Sequence, residues 1–334
     1  MALLFLGDFF YSYSTMAEDI LEISKFIRRN NFQVVLNLEG PITHSNYKIK
    51  KRGEHLRQSD CALEVLNALN VVGVSLANNH IMDFGEAGLV ETINVLQQNN
   101  IQYSGAGLST EEASRPLIIE DEGFLYKVYC MTDSYEESVI AKKNRCGCAP
   151  IEIKKFEKND NEVAVAFLHT GFEYNTLPMP RNIREAKKLI DSGADVVIGS
   201  HPHLIQPKLD YKGCPVYFSI GNFYFSEFRE EFNSKRIKNK DGGFCNIGYG
   251  ILLGKNVACF KFEYLSKGQN TVIEETCCVP DINKSKVNLQ YLKKCYLNRN
   301  NHNPILLGFK IHDDVAIKAL DFLYWLYGLW NRSR

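Results

Sequence analysis

The sequence predicts a layered α/β protein with mixed β-sheets, and two patterns carry this prediction. Short apolar runs rich in Val, Ile, Leu and Phe recur up to about residue 220, and several are separated by helical patterns. Residues 117–131 and 244–279 contain alternating segments without intervening helices, which is typical of antiparallel strands. The 334 residues, 45% of them hydrophobic, are enough to bury a large core.

The individual elements follow from these runs. Strands are predicted at residues 2–6, 34–38, 71–76, 163–168, 195–199 and 215–220. Helices are predicted at residues 17–29, 61–69, 86–98 and 182–192. The polar, charged stretch 226–243 predicts a mobile surface loop. We therefore expect one domain over residues 1–280 and a short helical C-terminal extension over residues 281–334.

Charge and cysteine content narrow the classes of function. Lys plus Arg and Asp plus Glu both total 39, so the chain has no overall field that would attract nucleic acid or an anionic membrane. Half of the cysteines stand singly in apolar runs, where a reduced thiol packs as a small hydrophobe. These are Cys61, Cys130, Cys214, Cys245 and Cys259.

The apolar N-terminus is interrupted by Asp8, and no stretch reaches the roughly 18 apolar residues that cross a membrane. Without a signal peptide or a transmembrane segment, the expected location is cytoplasmic, and any association with a membrane would come through partner proteins. Nucleic acid is not an expected partner, because the net charge is zero.

Polar residues that can bind metal follow the predicted strands in succession. They are Asp8, Glu39, Asn79, His169, His201 and His203. A single Asp or Asn at a strand end is usually a turn former or a helix cap, but five strand ends in succession favour one shared site. Carboxylates, imidazoles and an amide oxygen suit zinc, manganese or iron better than calcium or a thiolate zinc site. The sequence therefore predicts a hydrolytic centre with one or two divalent ions.

Several blocks of the chain also resemble a known family, the CapA proteins of bacterial capsule and poly-γ-glutamate synthesis. Over roughly residues 3–226 these blocks are FLGDFF, LNLEGPIT, SLANNHIMDFGEAGLVETINVL, SGAG, FLHTGFEY, DSGADVVIGSHPHLIQP and VYFSIGNFYF. That family is similar to the calcineurin-like metallophosphoesterases. The resemblance implies a sandwich of two mixed β-sheets flanked by helices.

The resemblance also implies roles for single residues. Asp8 and His203 would bind a first metal, and Glu39 would occupy the bridging position between two metals. The second metal would be held by Asn79, His169 and His201. His80 resembles the general acid of the family, and Asp83 is spaced either to orient it or to hold its loop.

The chain departs from the phosphoesterase pattern at two of these positions. Phe10 stands where a phosphoesterase has a histidine two residues after its first aspartate, which would leave the first metal short of a ligand. The bridging carboxylate is Glu39, where an aspartate is usual.

Further residues are candidates for binding substrate. Lys51 and Arg57 belong to a basic stretch that suits phosphate or a row of carboxylates, or else forms a solvated loop. Glu173 and Arg181 follow His169 closely enough to border the pocket, or else form a surface ion pair. Asn222, in the SIGNF block, is either a site residue or part of a turn.

The leading interpretation is a metal-dependent hydrolase that acts on an anionic polymer or a phosphoester during capsule or poly-γ-glutamate synthesis. Phosphoester and amide chemistry at the metal are both compatible with the sequence. The alternative is a non-catalytic partner that binds an acidic polymer and organises a capsule synthesis complex. Fold analogy alone does not separate these two functions.

Overall fold

The structure of the chain is a computed structural model. It describes residues 2–51, 53–121, 123–133, 138–226, 247–254, 258–263 and 272–276. The predicted loop beyond Ser226 and the predicted C-terminal extension lie outside the described residues. Among the described residues, no helix combines the length and the apolar character needed to cross a membrane.

The described residues form five helices and sixteen strands. The helices are α1 (Glu18–Arg29), α2 (Ala62–Ala68), α3 (Gly85–Gln98), α4 (Thr110–Ala113) and α5 (Pro180–Asp191). The first seven strands are β1 (Ala2–Phe10), β2 (Phe32–Leu38), β3 (Val71–Ser75), β4 (Gln102–Ser104), β5 (Ala106–Gly107), β6 (Leu117–Asp121) and β7 (Phe124–Thr132). The remaining strands are β8 (Gly147–Cys148), β9 (Glu162–His169), β10 (Val196–Ser200), β11 (Lys208–Tyr211), β12 (Cys214–Tyr217), β13 (Asn222–Phe225), β14 (Ile247–Leu253), β15 (Ala258–Glu263) and β16 (Val272–Thr276).

The strands form two large mixed sheets, as the sequence predicts. The first sheet has the order β16-β15-β14-β1-β2-β3-β4, and β13 also pairs with β1. The second sheet has the order β11-β12-β10-β9-β7-β6. In the first sheet β1 to β4 are parallel, and β14 to β16 form one antiparallel edge. In the second sheet the central strands are parallel, and both edge pairs are antiparallel. The antiparallel pairing predicted for residues 117–131 and for the described part of 244–279 is confirmed.

The two sheets pack face to face, and helices cover their outer faces. Side chains of β1 alternate, so that Leu3 and Phe5 join the core between the sheets while Leu4 and Leu6 join the core beneath α1 to α3. The Phe5 ring meets the Phe167 ring of β9 edge to face, with ring centroids 5.8 Å apart. Helix α5 covers the other face of the second sheet. This arrangement is the predicted sandwich flanked by helices.

The strand predicted at residues 215–220 ends earlier, at Tyr217, and the chain then crosses to the other sheet. Strand β12 ends at Tyr217 in the second sheet, and after a short crossing β13 begins at Asn222 and runs parallel to β1 in the first sheet. Phe218 and Ile220 in the crossing are buried, as are Val216 and Tyr217 in β12. Hydrophobicity alone therefore did not reveal where the strand ends. The crossing brings Asn222 beside Asp8.

Gly7 allows β1 to pass this crossing at close range. A Cβ atom at Gly7 would lie 1.8 Å from the carbonyl oxygen of Gly221, a distance that only a shift of backbone could relieve. This close contact between β1 and the crossing therefore lies one residue before Asp8.

We expect Gly7→Ala to lower the free energy of unfolding by about 3 kcal/mol or more, because the added methyl group overlaps backbone. Gly123→Ala is the control: its Cβ would meet nothing within 4 Å, and only its φ of +85° opposes the change. Urea denaturation monitored by circular dichroism gives both values. An equal loss in the two variants would contradict the importance of the contact between Gly7 and Gly221.

Candidate metal centre

The six expected metal ligands lie together where the carboxyl ends of strands from both sheets meet. The Nδ1 atom of His169 lies 3.6 Å from one carboxylate oxygen of Asp8, and the Nδ1 atom of His203 lies 3.5 Å from the other. The Nε2 atom of His203 lies 3.7 Å from Oε1 of Glu39. The His201 ring lies 4.6 Å from the His169 ring, centroid to centroid.

Asn79 completes the group through His169. Its Oδ1 atom lies 2.9 Å from Nε2 of His169. An imidazole nitrogen and an amide oxygen at this distance either share a hydrogen bond or face the same ion, since both are metal-binding atoms. This contact brings Asn79 into the group of candidate ligands.

Asp8 lies inside β1 rather than at its end, so the expectation that the first strand stops there is wrong. Strand β1 continues to Phe10, and its pairing register with β2 shifts between Leu6 and Asp8. Such an irregularity turns a side chain out of the regular alternation of a strand. The Asn37 side chain and the His201 backbone N–H donate hydrogen bonds of 2.8 Å and 2.9 Å to the Asp8 carboxylate.

These contacts keep Asp8 ionised. Burial on its own would raise the pKa of the Asp8 carboxyl group, because it removes the charge from water. The contact with His169, the nearby charge of His203 and the His201 N–H outweigh that effect, and the pKa of Asp8 lies below its usual value. Asp8 is therefore the carboxylate of the site with satisfied oxygen atoms.

Glu39 is buried under opposite conditions. It is 0% exposed, and neither of its carboxylate oxygens has a hydrogen-bond partner in the described structure. Burial, followed by the negative charges of Asp8 and Glu173, raises the pKa of Glu39 well above its usual value. A buried carboxylate without donors is costly unless a cation compensates it. One ligand atom each of Asp8, Glu39 and His203 lie within 4.8 Å of one another, so these residues fit a metal ion.

The histidines are oriented by their neighbours. The Nδ1 atom of His203 lies 2.8 Å from Oδ1 of Asn222, which fits donation to that amide oxygen and leaves Nε2 facing Glu39. Asn222, predicted as a substrate residue or a turn, thus lies against a candidate ligand. The Nδ1 atom of His169 lies 3.2 Å from the Ser200 hydroxyl.

Both histidines of the segment His201-Pro202-His203 have backbone conformations that residues other than glycine seldom adopt. The φ angle is +98° at His201 and +56° at His203. Such conformations cost of the order of 1–3 kcal/mol each and persist where the surroundings enforce them, which is common at functional sites. The imidazole rings of His201 and His203 lie 6.1 Å apart, centroid to centroid, on this strained segment.

His80 and Asp83 form a second polar group beside Asn79. The Nδ1 atom of His80 lies 2.8 Å from Oδ2 of Asp83, which also accepts a hydrogen bond from the Leu56 backbone N–H. Lys51 forms an ion pair with Asp83, its Nζ atom lies 3.0 Å from Nδ1 of His80, and its side chain is 7% exposed. Lys51 thus lies inside this group and not on an open basic surface.

Burial lowers the pKa of His80, and the charge of Lys51 lowers it further against the opposing effect of Asp83. The imidazole is therefore neutral in the resting protein at neutral pH. Because its Nδ1 side faces Asp83 and Lys51, the Nε2 atom is the one left for other partners.

The two arginines that were expected to bind substrate contact other side chains of the protein. The Arg57 guanidinium lies over the Phe84 ring, 4.3 Å from its centroid. Arg181 donates a 2.8 Å hydrogen bond to Asp133, which also accepts one from Thr170. Glu173 is exposed, and its carboxylate lies within 4.8 Å of ligand atoms of His201 and His203.

Sequence analysis missed two residues that position the site. Asn37 donates to Asp8 and contacts His169, and the Asn78 side chain bonds to both Asn37 and the Leu38 carbonyl. Both asparagines are buried, and the only signal in the sequence was a polar residue within an apolar strand or directly after one.

Fold and site together define an α/β sandwich protein with a candidate metal centre between its two sheets. Residues 7–227 match the family model described as bacterial capsule synthesis protein PGA_cap. This chain therefore belongs to that family.

Three curated relatives agree with this membership. The PGA biosynthesis protein CapA of Bacillus subtilis (strain 168) is 31% identical over 219 residues, which cover 63% of this chain and 58% of the relative. The capsule biosynthesis protein CapA of Bacillus anthracis is 27% identical over 218 residues, 61% of this chain and 53% of the relative. A probable polyglutamine synthesis accessory protein of Mycobacterium tuberculosis (strain CDC 1551 / Oshkosh) is 27% identical over 205 residues, 56% and 54% of the two chains. The chain thus spans somewhat more than half the length of these relatives.

Among solved structures, the NAD nucleotidase NadN of Haemophilus influenzae is similar at 12% identity and a TM-score of 0.40. The matched region covers 98% of this chain and 60% of the nucleotidase.

We expect Glu39→Gln to stabilise the protein after chelator treatment at pH 7, because the folded state raises the pKa of Glu39 above the usual 4.5. Ionisation of Glu39 therefore costs the folded state stability as the pH rises above that value. The advantage of the variant should shrink as the pH falls toward 4.5.

Added Mn²⁺ should reverse the order of stability, because the wild-type protein gains the free energy of metal binding. Thermal unfolding with and without Mn²⁺ measures both effects, and Glu157→Gln, at an exposed position, serves as the control. Unchanged stability of Glu39→Gln under both conditions would rule out a metal-compensated carboxylate.

Proposed function

We propose that this chain is a metal-dependent, hydrolase-like protein of capsule or poly-γ-glutamate synthesis that acts on phosphoester or amide bonds. The observation that carries the proposal is the buried carboxylate of Glu39, which has no hydrogen-bond donor and lies beside Asp8 and His203. The Bacillus relatives, a PGA biosynthesis protein and a capsule biosynthesis protein, support the polymer context.

The donor set favours one or two ions of manganese, iron or zinc, because it mixes imidazole nitrogens with carboxylate and amide oxygens. Asp8, Glu39 and His203 would hold one ion. The remaining donors, Asn79, His169 and His201, would hold a second ion or complete the first. A bound ion supplies an activated water molecule and polarises the bond that is cleaved.

The other residues of the site would position these ligands and move a proton. Asn222 fixes the ring of His203, and Asn37 fixes the carboxylate of Asp8. His80 would protonate the leaving group through Nε2, since its Nδ1 atom is held by Asp83. In the resting protein His80 is neutral, so it must receive a proton before it donates one, for example from the attacking water.

Retained metal after loss of a histidine ligand would contradict this proposal. We expect His169→Ala and His201→Ala each to weaken Mn²⁺ binding by about tenfold or more while the fold persists. His44→Ala is the matched control, because the His44 side chain is 84% exposed. Isothermal titration calorimetry gives the affinities, and metal analysis of protein purified without chelator gives the content.

The role of His80 has its own test. His80→Asn should retain metal and reduce turnover by about a hundredfold or more for esters with poor leaving groups, the usual scale for loss of a general acid. The penalty should be small for nitrophenyl esters, whose leaving groups need no proton. Loss of metal together with an equal penalty for both ester types would instead assign His80 to holding the Asn79 loop.

The alternative, a non-catalytic partner that binds an acidic polymer, is favoured by one observation. Phe10 lies in an apolar cluster with Leu56 and Phe225, so the position that carries a histidine in phosphoesterases offers no ligand here. Polyglutamate binding by metal-free protein, combined with the absence of hydrolysis in the metal-loaded protein, would decide for this alternative.

A further inference from the structure

Two groups of potential metal ligands share His203. One is the buried group of Asp8, Glu39 and His203, and the other consists of Glu173, His201 and His203. In each group, one ligand atom per residue lies within 4.8 Å of the others. The two groups differ in solvent access. All three residues of the first group are buried, whereas the second group contains the exposed Glu173 beside two buried histidines.

The loop that carries Glu173 is fixed directly to the histidine segment. The backbone N–H of Tyr174 donates a 2.8 Å hydrogen bond to the carbonyl oxygen of Pro202, the residue between the two histidines. Gly171 has a φ of +118° and would place a Cβ atom 3.1 Å from the Pro202 ring, so this close approach requires a glycine. The position of Glu173 relative to His201 and His203 is therefore set by backbone contacts.

Tyr174 adds a second constraint on the same loop. Its φ of +58° is unusual for a tyrosine, and its ring lies 5.9 Å from the His203 ring, centroid to centroid. A conformation of this kind persists only where the surroundings enforce it. The strained residue directly follows Glu173 and holds the turn that presents the carboxylate.

We propose that Glu173 is itself a metal ligand, which binds a divalent ion together with His201 and His203. This inference rests on the proposed metal-dependent function and changes the expected role of Glu173 from a substrate contact to a ligand. Two imidazoles and one carboxylate form a common ligand set for zinc and for non-haem iron. The set supplies a protein oxygen donor in a chain that has Phe10 in place of a histidine ligand.

The exposure of Glu173 indicates what kind of ion this group would hold. An ion bound by three protein ligands with one side open to solvent retains coordination positions for water and substrate, as catalytic sites do. The group of Asp8, Glu39 and His203 is closed on all three residues. Nδ1 of His203 faces Asn222, so His203 offers Nε2 to a single ion, and Glu173 would be the solvent-facing ligand of the ion that His201 and His203 bind.

The first test uses Mn²⁺ affinity and stoichiometry measured by calorimetry on the full chain. We expect Glu173→Gln to weaken one class of binding by about tenfold or more, and Glu157→Gln, an exposed control, to leave it unchanged. Asp8→Asn reports on the proposed metal centre itself. Loss of binding in Asp8→Asn with wild-type binding in Glu173→Gln would overturn the assignment of Glu173 alone, whereas no binding by the wild-type protein would overturn the proposed function as well.

The second test detects ligation directly. Glu173→Cys loaded with Co²⁺ should gain the intense near-ultraviolet absorption of a thiolate-to-cobalt charge transfer, beyond the spectrum of the Co²⁺-loaded wild-type protein. Glu157→Cys provides the matched control for an exposed thiol that is distant from the site. Identical spectra for the two cysteine variants would overturn the proposal. Circular dichroism establishes that each variant is folded.

Discussion

The structure around the site depends on one constraint, the burial of two carboxylates, Asp8 and Glu39, in the same small space. Both are removed from water. In the protein interior like charges repel strongly, and desolvation of an ion costs several kcal/mol. The protein compensates only Asp8, through Asn37 and a backbone N–H. Glu39 retains its proton or acquires a cation. The neighbouring imidazoles are oriented consistently with the second solution, since the contact with Asn222 leaves Nε2 of His203 facing Glu39.

The two-sheet architecture produces this convergence. Asp8, Glu39 and Asn79 come from the first sheet and the histidines from the second, so the group of Asp8, Glu39 and His203 needs both sheets. Glu173, His201 and His203 all follow strands of the second sheet. The crossing from β12 to β13 joins the sheets next to the site, and Gly7 permits the close approach there. Packing between Phe5 and Phe167 holds the sheets in this relation. Core packing and site geometry are therefore linked through a few residues of β1.

Two sides of the candidate metal centre differ in their exposure to solvent. On one side Lys51, Asp83 and His80 form a nearly buried hydrogen-bonded group that keeps His80 neutral. On another side the Glu173 loop reaches solvent and is bonded to Pro202. The first arrangement suits proton transfer in a low-dielectric environment, and the second suits entry of an ion or a substrate. Of the two basic residues expected to bind substrate, Lys51 belongs to the first group, whereas Arg57 lies over the Phe84 ring.

The sequence by itself determined the layered α/β class and the helices α1, α2, α3 and α5, and it predicted the candidate ligands. It could do so because apolar periodicity and polar residues at strand ends are local patterns. Only the tertiary structure decided that the chain leaves the second sheet after Tyr217 and enters the first at Asn222. It also decided that Asp8 lies at an irregularity within β1 and that Asn37 holds it. It also decided that Lys51 is buried and that Glu173 faces two histidines. These features depend on contacts between residues far apart in the chain, such as Asp8 with Asn37 and with His201, which are 29 and 193 positions away. Local patterns carry no record of such pairings.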